Sequence, residues 1–330
     1  MEKKIGIIEA PLSTGVGLAG VELMATSLRE AGLQSAVGAL SCESISEPLL
    51  VTSVDPDTSL PDPQVVRKFL LDLADRVAES CRTDHMPLVV GGDCTILLGC
   101  LAGAKRHGDL GLLFIDAQTD FHPPGRGKTE TASMELYLAT GRGPEVLSNL
   151  EGDVPLIADC NVVCLGYRTG ERPYTGADGA EMALSPLDTD IVCLPLDHIR
   201  KRGFGNTLDR ALKHLCADGR EFWLHFDVDA LHDDVMPAVD YRLPDGLSVG
   251  EIVEAIRRAM NTGRVRGVNV TIYNPTLDWD GSQAKLLVDL LGAALNDEFQ
   301  DQLKFLGGHK DSLVDGPPGG KPFEFSASPT

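Results

Sequence analysis

The sequence feature that most constrains the fold is the short run Pro87–Val90, in which every residue is apolar. A strand that is apolar at every position is buried on both faces, and such strands lie inside parallel sheets. A second apolar run covers 111–115, and segments of helical periodicity flank both runs. The pattern predicts an α/β fold. Further strands are predicted at 5–9, 160–165, 191–194, 222–227 and 265–273, and helices at 20–31, 63–80, 206–217, 249–261 and 281–297.

The chain of 330 residues is 43% hydrophobic, which is enough apolar material for a large core. Because the composition shows no break, we predict one domain over 1–306, followed by a flexible tail over 307–330 that is rich in Gly, Pro and Ser. No apolar run has the length that crosses a bilayer, and the start of the chain does not resemble a secretory signal. The eight cysteines are scattered without a Cys-x-x-Cys pair, which favours a reduced, cytoplasmic protein.

The balance of charge is strongly acidic, with 49 Asp and Glu residues against 29 Lys and Arg residues and a formal net charge of -20. Nucleic acids and anionic membrane surfaces repel such a chain, so neither is predicted as a partner. A small cationic ligand suits it better.

Acidic residues follow two of the predicted strands at the point where each strand ends. Asp116 and Asp120 come after the run 111–115, whereas Asp227 ends the run 222–227 and Asp229 follows it. If the strands continue, the two members of each pair point to the same face. Four ionised carboxylates at one sheet edge repel one another unless a cation lies between them, so the pattern predicts a metal site.

Two interpretations of these aspartates that need no metal ion remain open. An isolated Asp-x-Asp segment is also compatible with a turn in which backbone N–H groups cap one carboxylate. Alternatively, the guanidinium groups of Arg126 or Arg242 could neutralise the acidic cluster in place of a metal.

Three motifs together resemble those of the ureohydrolase family, which includes arginase, agmatinase and formiminoglutamase. Gly91-Gly-Asp-Cys94 resembles the Gly-Gly-Asp-His motif of the family, Asp116-Ala-Gln-Thr-Asp120 resembles Asp-Ala-His-x-Asp, and His225-Phe-Asp-Val-Asp229 resembles Ser-Phe-Asp-Val-Asp. The resemblance implies a three-layer α/β/α fold with a mainly parallel sheet of about eight strands. It also implies assembly into a trimer or hexamer.

The resemblance further implies a site for two divalent metal ions, Mn2+ in the family, which supply hydroxide for attack on a guanidinium carbon. The positions that correspond to metal ligands are Cys94, Asp116, Gln118, Asp120, Asp227 and Asp229. Cys94 and Gln118 stand where the family has histidines. A thiolate ligand favours softer ions such as Ni2+, whereas the neutral amide of Gln118 is a weak replacement for imidazole.

Other groups that the resemblance leads us to expect are also replaced. The proton-shuttling histidine should lie near Ser133-Met134, where the chain has Ala132, and the guanidinium-binding acid is replaced by Ile272. We therefore predict Asp120 and His225 as catalytic residues, with His225 as a replacement ligand or base. Asn269 and Met134 are predicted to contact the substrate. His122 and His232 fit better as histidines of loops.

The predicted function is metal-dependent hydrolysis of a C–N bond in a guanidine- or biguanide-type compound, with release of urea or a related product. The predicted partners are a small cationic guanidino substrate and further copies of the chain in a homo-oligomer. The alternative is a non-catalytic accessory subunit with a degenerate metal site, which supports an intact paralogue in a hetero-oligomer. A regulatory metal-binding protein without hydrolase activity is a third interpretation.

Overall fold

The computed structural model describes residues 4–14, 19–50, 53–83, 85–125, 130–152, 154–168 and 185–298. The predicted tail 307–330, the end of the predicted domain 1–306 and Arg126 lie outside these residues. None of the described helices is long and apolar enough to cross a membrane.

Eight strands form one sheet in which every described pair of neighbours runs parallel. The strands are β1 (Lys4–Ala10), β2 (Ser41–Ser44), β3 (His85–Gly91), β4 (Leu110–Ile115), β5 (Val162–Leu165), β6 (Val192–Leu194), β7 (Glu221–Asp227) and β8 (Val265–Thr271). Their order across the sheet is β2-β1-β3-β8-β7-β4-β5-β6. This parallel sheet confirms the predicted fold class.

Helices cover both faces of the sheet and complete three layers. They are α1 (Met24–Glu30), α2 (Leu33–Ala36), α3 (Pro63–Arg82), α4 (Ile96–Lys105), α5 (Glu135–Ala139), α6 (Glu145–Ser148), α7 (Leu196–Arg202), α8 (Phe204–Leu215), α9 (Val249–Asn261) and α10 (Ser282–Leu295). One core cluster joins α1, α8, α9 and α10 to the sheet, and the other joins α3, α4 and α5 to its opposite face.

The apolar run that predicted a buried strand behaves as expected. Leu88 and Val90 belong to the core on one face of β3, and Val89 belongs to the core on the other face. Since all three side chains are fully buried, a polar residue at any of them would lose its hydration without gaining a partner.

The predicted start of α9 is also confirmed in atomic detail. The Ser248 hydroxyl accepts a hydrogen bond from Glu251 N at 3.2 Å, and the Glu251 carboxylate accepts one from Ser248 N at 2.9 Å. This reciprocal pair satisfies N–H groups that the first turn of a helix leaves without partners.

The short helices α2, α6 and α7 were not predicted, and two further elements differ in kind from the sequence prediction. The predicted helix at 20–31 begins as a 3-10 turn over Val21–Leu23 and becomes α-helical only in α1. The edge strand β2 was not predicted, because its sequence Ser-Cys-Glu-Ser is polar and largely exposed and therefore carries no apolar signal.

The order of the central strands positions the candidate site. β3, β8, β7 and β4 are consecutive neighbours, so the segments that follow them meet at one edge of the sheet. The carboxyl edge of a parallel sheet is where α/β folds commonly bind ligands.

Candidate metal centre

Cys94 reaches the carboxyl edge of the sheet through the turn that follows β3. At Gly92 a Cβ atom would lie 1.8 Å from the backbone oxygen of Leu12, so only glycine fits against the end of β1. Asp93 then holds the turn, because its carboxylate accepts hydrogen bonds from the backbone N–H groups of Thr14 and Thr95. Cys94 is thereby buried beneath the turn.

The Cys94 thiol contacts an aspartate from a distant part of the chain. Its Sγ donates to Asp227 Oδ2 at 2.7 Å and lies 3.2 Å from Thr271 Oγ1, at the end of β8. The first and third sequence motifs therefore meet at this edge, as the predicted metal site requires.

The second and third motifs also meet. One carboxylate oxygen each of Asp116, Asp227 and Asp229 lies within 4.8 Å of the others. Asp229 Oδ1 accepts a hydrogen bond from Ala117 N at 3.2 Å, which ties the segment after β7 to the segment after β4.

Strand alternation is not what brings the acidic pairs together, and that part of the sequence interpretation was wrong. β7 ends at Asp227, and Val228–Ala230 form a 3-10 turn in which Asp227 Oδ1 accepts from Asp229 N at 2.8 Å. This is the turn-capping arrangement that the sequence left open. The segment after β4 is likewise irregular, and Asp120 has a left-handed φ of 41°.

Asp116 has one engaged and one unpartnered carboxylate oxygen. Its Oδ1 accepts a hydrogen bond from Gln118 N at 2.6 Å, whereas Oδ2 has no hydrogen-bond partner among the described residues. The Gln118 side chain, two residues after Asp116, is only half-buried. An unpartnered carboxylate oxygen in a dry site is costly, which suits a ligand at that point.

Glu135 belongs to the site but was not predicted from the sequence. It is the first residue of α5 and is fully buried, and neither carboxylate oxygen receives a hydrogen bond in the part of the chain that the structure describes. One ligand atom each of Cys94, Asp116, Glu135 and His225 lies within 4.8 Å of the others. The available sequence signal was an acidic residue between the apolar residues Met134 and Leu136.

His225 lies on β7 beside the cluster, and its ring is fixed on two sides. It stacks on Phe114 with a centroid separation of 4.6 Å and an interplanar angle of 14°. Its Nε2 is 3.8 Å from Asp116 Oδ2, and its Nδ1 is 2.7 Å from Asn269 Nδ2. Burial lowers the pKa of His225 to about 3, so the ring is neutral.

The residues that were predicted to contact the substrate lie deeper than expected. Asn269 is fully buried within β8, where it hydrogen-bonds to both Trp223 and His225. Met134 is also fully buried and belongs to the core beneath α5. Contact of either residue with a substrate stays a prediction.

The electrostatics of the cluster favour a bound cation. Burial raises the pKa of both Asp116 and Asp229 to about 7. Burial also raises the pKa of Asp227 well above its ordinary value, and the neighbouring carboxylate of Asp229 raises it further. The pKa of Glu135 is raised in the same way by burial and then by the carboxylate of Asp120. Burial and then Asp227 also raise the pKa of the Cys94 thiol. A cation reverses this by favouring the ionised groups.

An arginine that the sequence did not point to lies near the cluster. Arg168 donates to the backbone oxygens of Asp229 and Leu231 at 3.1 and 3.0 Å, and its charge lowers the pKa of Asp116 and Asp229 against the stronger effect of burial. Arg242 was one of the two arginines considered as neutralising groups. Its guanidinium group instead pairs with the Asp233 carboxylate, with 3.5 Å between Nη2 and Oδ2.

The backbone at the end of β8 is strained. Ile272 has a φ of 78°, in the left-handed region that a β-branched residue rarely occupies, and its N–H donates to Gly92 O at 2.9 Å. This is the position at which the resemblance expects the guanidinium-binding acid. Such strain costs about 1–3 kcal/mol and clusters at functional sites.

Comparison with known proteins identifies the family. A model of the family described as Arginase family matches residues 3–295. The chain belongs to the arginase family. It is 31% identical over 287 residues to Arginase-1 of Sus scrofa, covering 83% of this chain and 86% of that protein. It is 28% identical over 304 residues to the arginase of Bacillus subtilis, covering 89% and 98%.

A solved arginase structure agrees with the fold. A crystal structure of the arginase from Bacillus subtilis superposes with a TM-score of 0.76 at 26% sequence identity, covering 89% of this chain and 99% of that one. Membership of the arginase family confirms the predicted resemblance. The structure adds that Cys94 and Glu135 lie together in the cluster, within 4.8 Å of Asp116 and His225.

Proposed function

We propose that this arginase-family protein is a metal-dependent hydrolase that cleaves a C–N bond of a small guanidino compound and releases urea or a related product. The observation that carries the proposal is the buried cluster at the carboxyl edge of the sheet, in which ligand atoms of Cys94, Asp116 and Glu135 lie within 4.8 Å of one another and could share a cation. Relatives of this fold include proteins described as arginases and as an agmatine ureohydrolase.

The donor atoms fit divalent metal ions. The groups that we propose as ligands are Cys94, Asp116, Asp120, Glu135, Asp227 and Asp229, with Gln118 as a weak neutral donor. Bound Mn2+ or Ni2+ ions would neutralise these carboxylates and lower the pKa of water so that a nucleophile is available near neutral pH. The thiolate of Cys94 favours Ni2+ or another soft ion over Mn2+.

The chain's own residues supply the remaining requirements of the reaction. The Gly92 turn and the residues around α5 bury the cluster, and burial strengthens electrostatic interactions with whatever binds there. The net charge of -20 attracts a cationic guanidinium group. We retain Asp120 as a catalytic candidate, because its carboxyl is buried and lies close enough to Glu135 to raise the pKa of that residue.

The accessory-subunit function remains the second candidate, and a specific observation favours it. Ala132 and Ile272 occupy the positions at which the resemblance expects a proton-shuttling histidine and a guanidinium-binding acid. A chain that lacks both groups loses rate, typically by a factor of about 100 or more for an acid–base group. The two candidates differ in whether the isolated chain holds metal and turns over.

The deciding experiment measures metal content and urea release for the full chain purified alone. It is loaded separately with Mn2+ and Ni2+ and offered arginine, agmatine, guanidine and a biguanide. Stoichiometric metal with turnover that is lost in Asp227→Asn and kept in the exposed control Asp57→Asn supports the hydrolase. Activity that is seen only in a mixture with a second family member supports the accessory subunit. A chain that neither holds metal nor hydrolyses any substrate, alone or mixed, contradicts both.

A further inference from the structure

We infer that His225 is held as the Nε2–H tautomer with this N–H group directed at the Asp116 carboxylate, and that it acts as a positioning residue and not as a metal ligand or base. The inference rests on the proposed function for its metal site. The evidence for the tautomer is a series of hydrogen-bond contacts between three buried side chains. It runs from Trp223 on β7 to Asn269 on β8 and back to His225 on β7.

The first link of this chain fixes the orientation of the amide. An indole N–H can only donate a hydrogen bond, and Trp223 Nε1 lies 2.7 Å from Asn269 Oδ1. That amide atom must therefore be the oxygen. The reversed amide would set two donors against each other in a site where all three side chains have no exposed surface and no water can intervene.

The second link fixes the proton on the imidazole. With its oxygen turned to Trp223, the amide of Asn269 presents its NH2 group to His225 Nδ1 at 2.7 Å. The only favourable partner for this donor is a lone pair, so Nδ1 accepts. A neutral imidazole carries one N–H group, and here it must be Nε2–H. An imidazolium, with donors at both nitrogens, would oppose the Asn269 donor.

The N–H group faces the anionic cluster. His225 Nε2 and Asp116 Oδ2 are 3.8 Å apart, and neither atom has a hydrogen-bond partner among the described residues. The stacked Phe114 ring holds the imidazole plane in this direction. Closing the gap by less than about 1 Å would form a normal hydrogen bond.

The same polarity argues against coordination by His225. A histidine that ligates a metal almost always donates its other ring N–H to a carboxylate, a carbonyl or water. Here the other nitrogen faces a donor, which leaves no lone pair at Nε2 for a metal. Ligating carboxylates, by contrast, are themselves commonly hydrogen-bonded by neighbouring residues. His225 has the position and the proton for that task at Asp116.

The tautomer is measured directly on the full chain labelled with 15N-histidine, both metal-free and loaded with Zn2+. The His225 resonances among the eight histidines are assigned by their disappearance in His225→Phe. We expect a one-bond N–H coupling at Nε2 and none at Nδ1 in both forms. A protonated Nδ1, or an Nε2 resonance that becomes that of a metal-bound nitrogen with Zn2+, would overturn the inference.

Two variants test the positioning role with a readout other than turnover. His225→Phe keeps the stacked ring but removes the donor, and we expect a fall in metal affinity of about 10–100-fold with unchanged stoichiometry. Loss of one metal equivalent would instead identify His225 as a ligand. Asn269→Asp presents a carboxylate to Nδ1, and we expect the proton to move to that nitrogen. An unchanged tautomer in a folded Asn269→Asp protein would contradict the proposed chain.

Controls separate this inference from the proposed function. Asn206→Asp places the same charge change on the exposed face of α8 and should leave the His225 resonances unchanged. If Asn269→Asp does not fold, the labelled unsubstituted chain still decides the tautomer. A chain with Nε2–H that releases no urea would refute the hydrolase and keep the inference, whereas turnover with a metal-bound His225 would do the reverse.

Discussion

Replacing Asp229 by Asn should stabilise the metal-free protein at alkaline pH. Burial raises the pKa of Asp229 from 3.8 to about 7, so the folded protein binds this proton more tightly than the unfolded chain does. The stabilisation from the bound proton is complete below pH 3.8 and is lost as the pH rises towards 7. A difference of about 3 pKa units corresponds to about 4 kcal/mol, of which about 3 kcal/mol is lost between pH 5 and 8.

Asparagine removes the charge and keeps the shape of the side chain. Its Oδ1 can still accept the hydrogen bond from Ala117 N that Asp229 accepts. The assay is urea denaturation of the chelator-treated protein at pH 5, 6, 7 and 8, with the exposed Asp57→Asn variant as the matched control. We expect the free energy of unfolding of the native sequence and of Asp57→Asn to fall by about 3 kcal/mol more than that of Asp229→Asn over this range.

Bound metal should reverse the pH trend. Coordination requires the ionised carboxylates, so a saturating divalent ion should stabilise the native sequence more at pH 8 than at pH 5. The free energy of unfolding could instead change with pH in the same way for the native sequence and Asp229→Asn, with and without metal. That result would show that burial does not hold this carboxylate neutral. The reasoning about the cluster would then be refuted.

Three further changes test other parts of the site. Glu135→Gln should weaken metal binding at least roughly tenfold in titration calorimetry, because disturbing a metal site typically costs that much affinity. The exposed control Glu47→Gln should bind metal as tightly as the native sequence. Equal affinities for Glu135→Gln and the native sequence would exclude Glu135 as a ligand. Cys94→Ser should abolish the thiolate charge-transfer band of the Co2+-loaded protein and reduce its preference for Ni2+ over Mn2+; a band that persists would show that Cys94 does not coordinate. Gly92→Ala should destabilise the chain by about 1–3 kcal/mol in urea, because its methyl group overlaps the Leu12 carbonyl; an unchanged midpoint would contradict the tight turn.

The central part of the fold was predictable because its signals are local. β3 is apolar over Pro87–Val90, and α9 begins at the Ser248 capping box, so each can be recognised from adjacent residues. β2 has no such signal, because an exposed edge strand is specified by its pairing with β1 and not by its own sequence. The missed strand is therefore the one whose structure depends most on residues far away in the chain.

The site was predictable only in part, for a related reason. Cys94, Asp116, Asp227 and Asp229 belong to short motifs, and the structure brings them together. Glu135 lies on a separate helix and joins the site only through the packing of α5 against the carboxyl edge, which no local pattern encodes. The alternation argument failed because a 3-10 turn, and not a continued strand, follows Asp227.

Two energetic costs at the site bear on the choice between the hydrolase and the accessory subunit. Ionising Asp229 in the folded protein costs about 4 kcal/mol without a cation, and the left-handed backbone at Ile272 costs a further 1–3 kcal/mol or so. Both costs fall at the same sheet edge, next to Cys94 and Glu135. Replacing the aspartate and the isoleucine with Asn and Gly would relieve them in a chain that serves only as a scaffold. An accessory subunit with an empty site therefore gains nothing from this arrangement, whereas a chain that binds metal regains the electrostatic cost on binding.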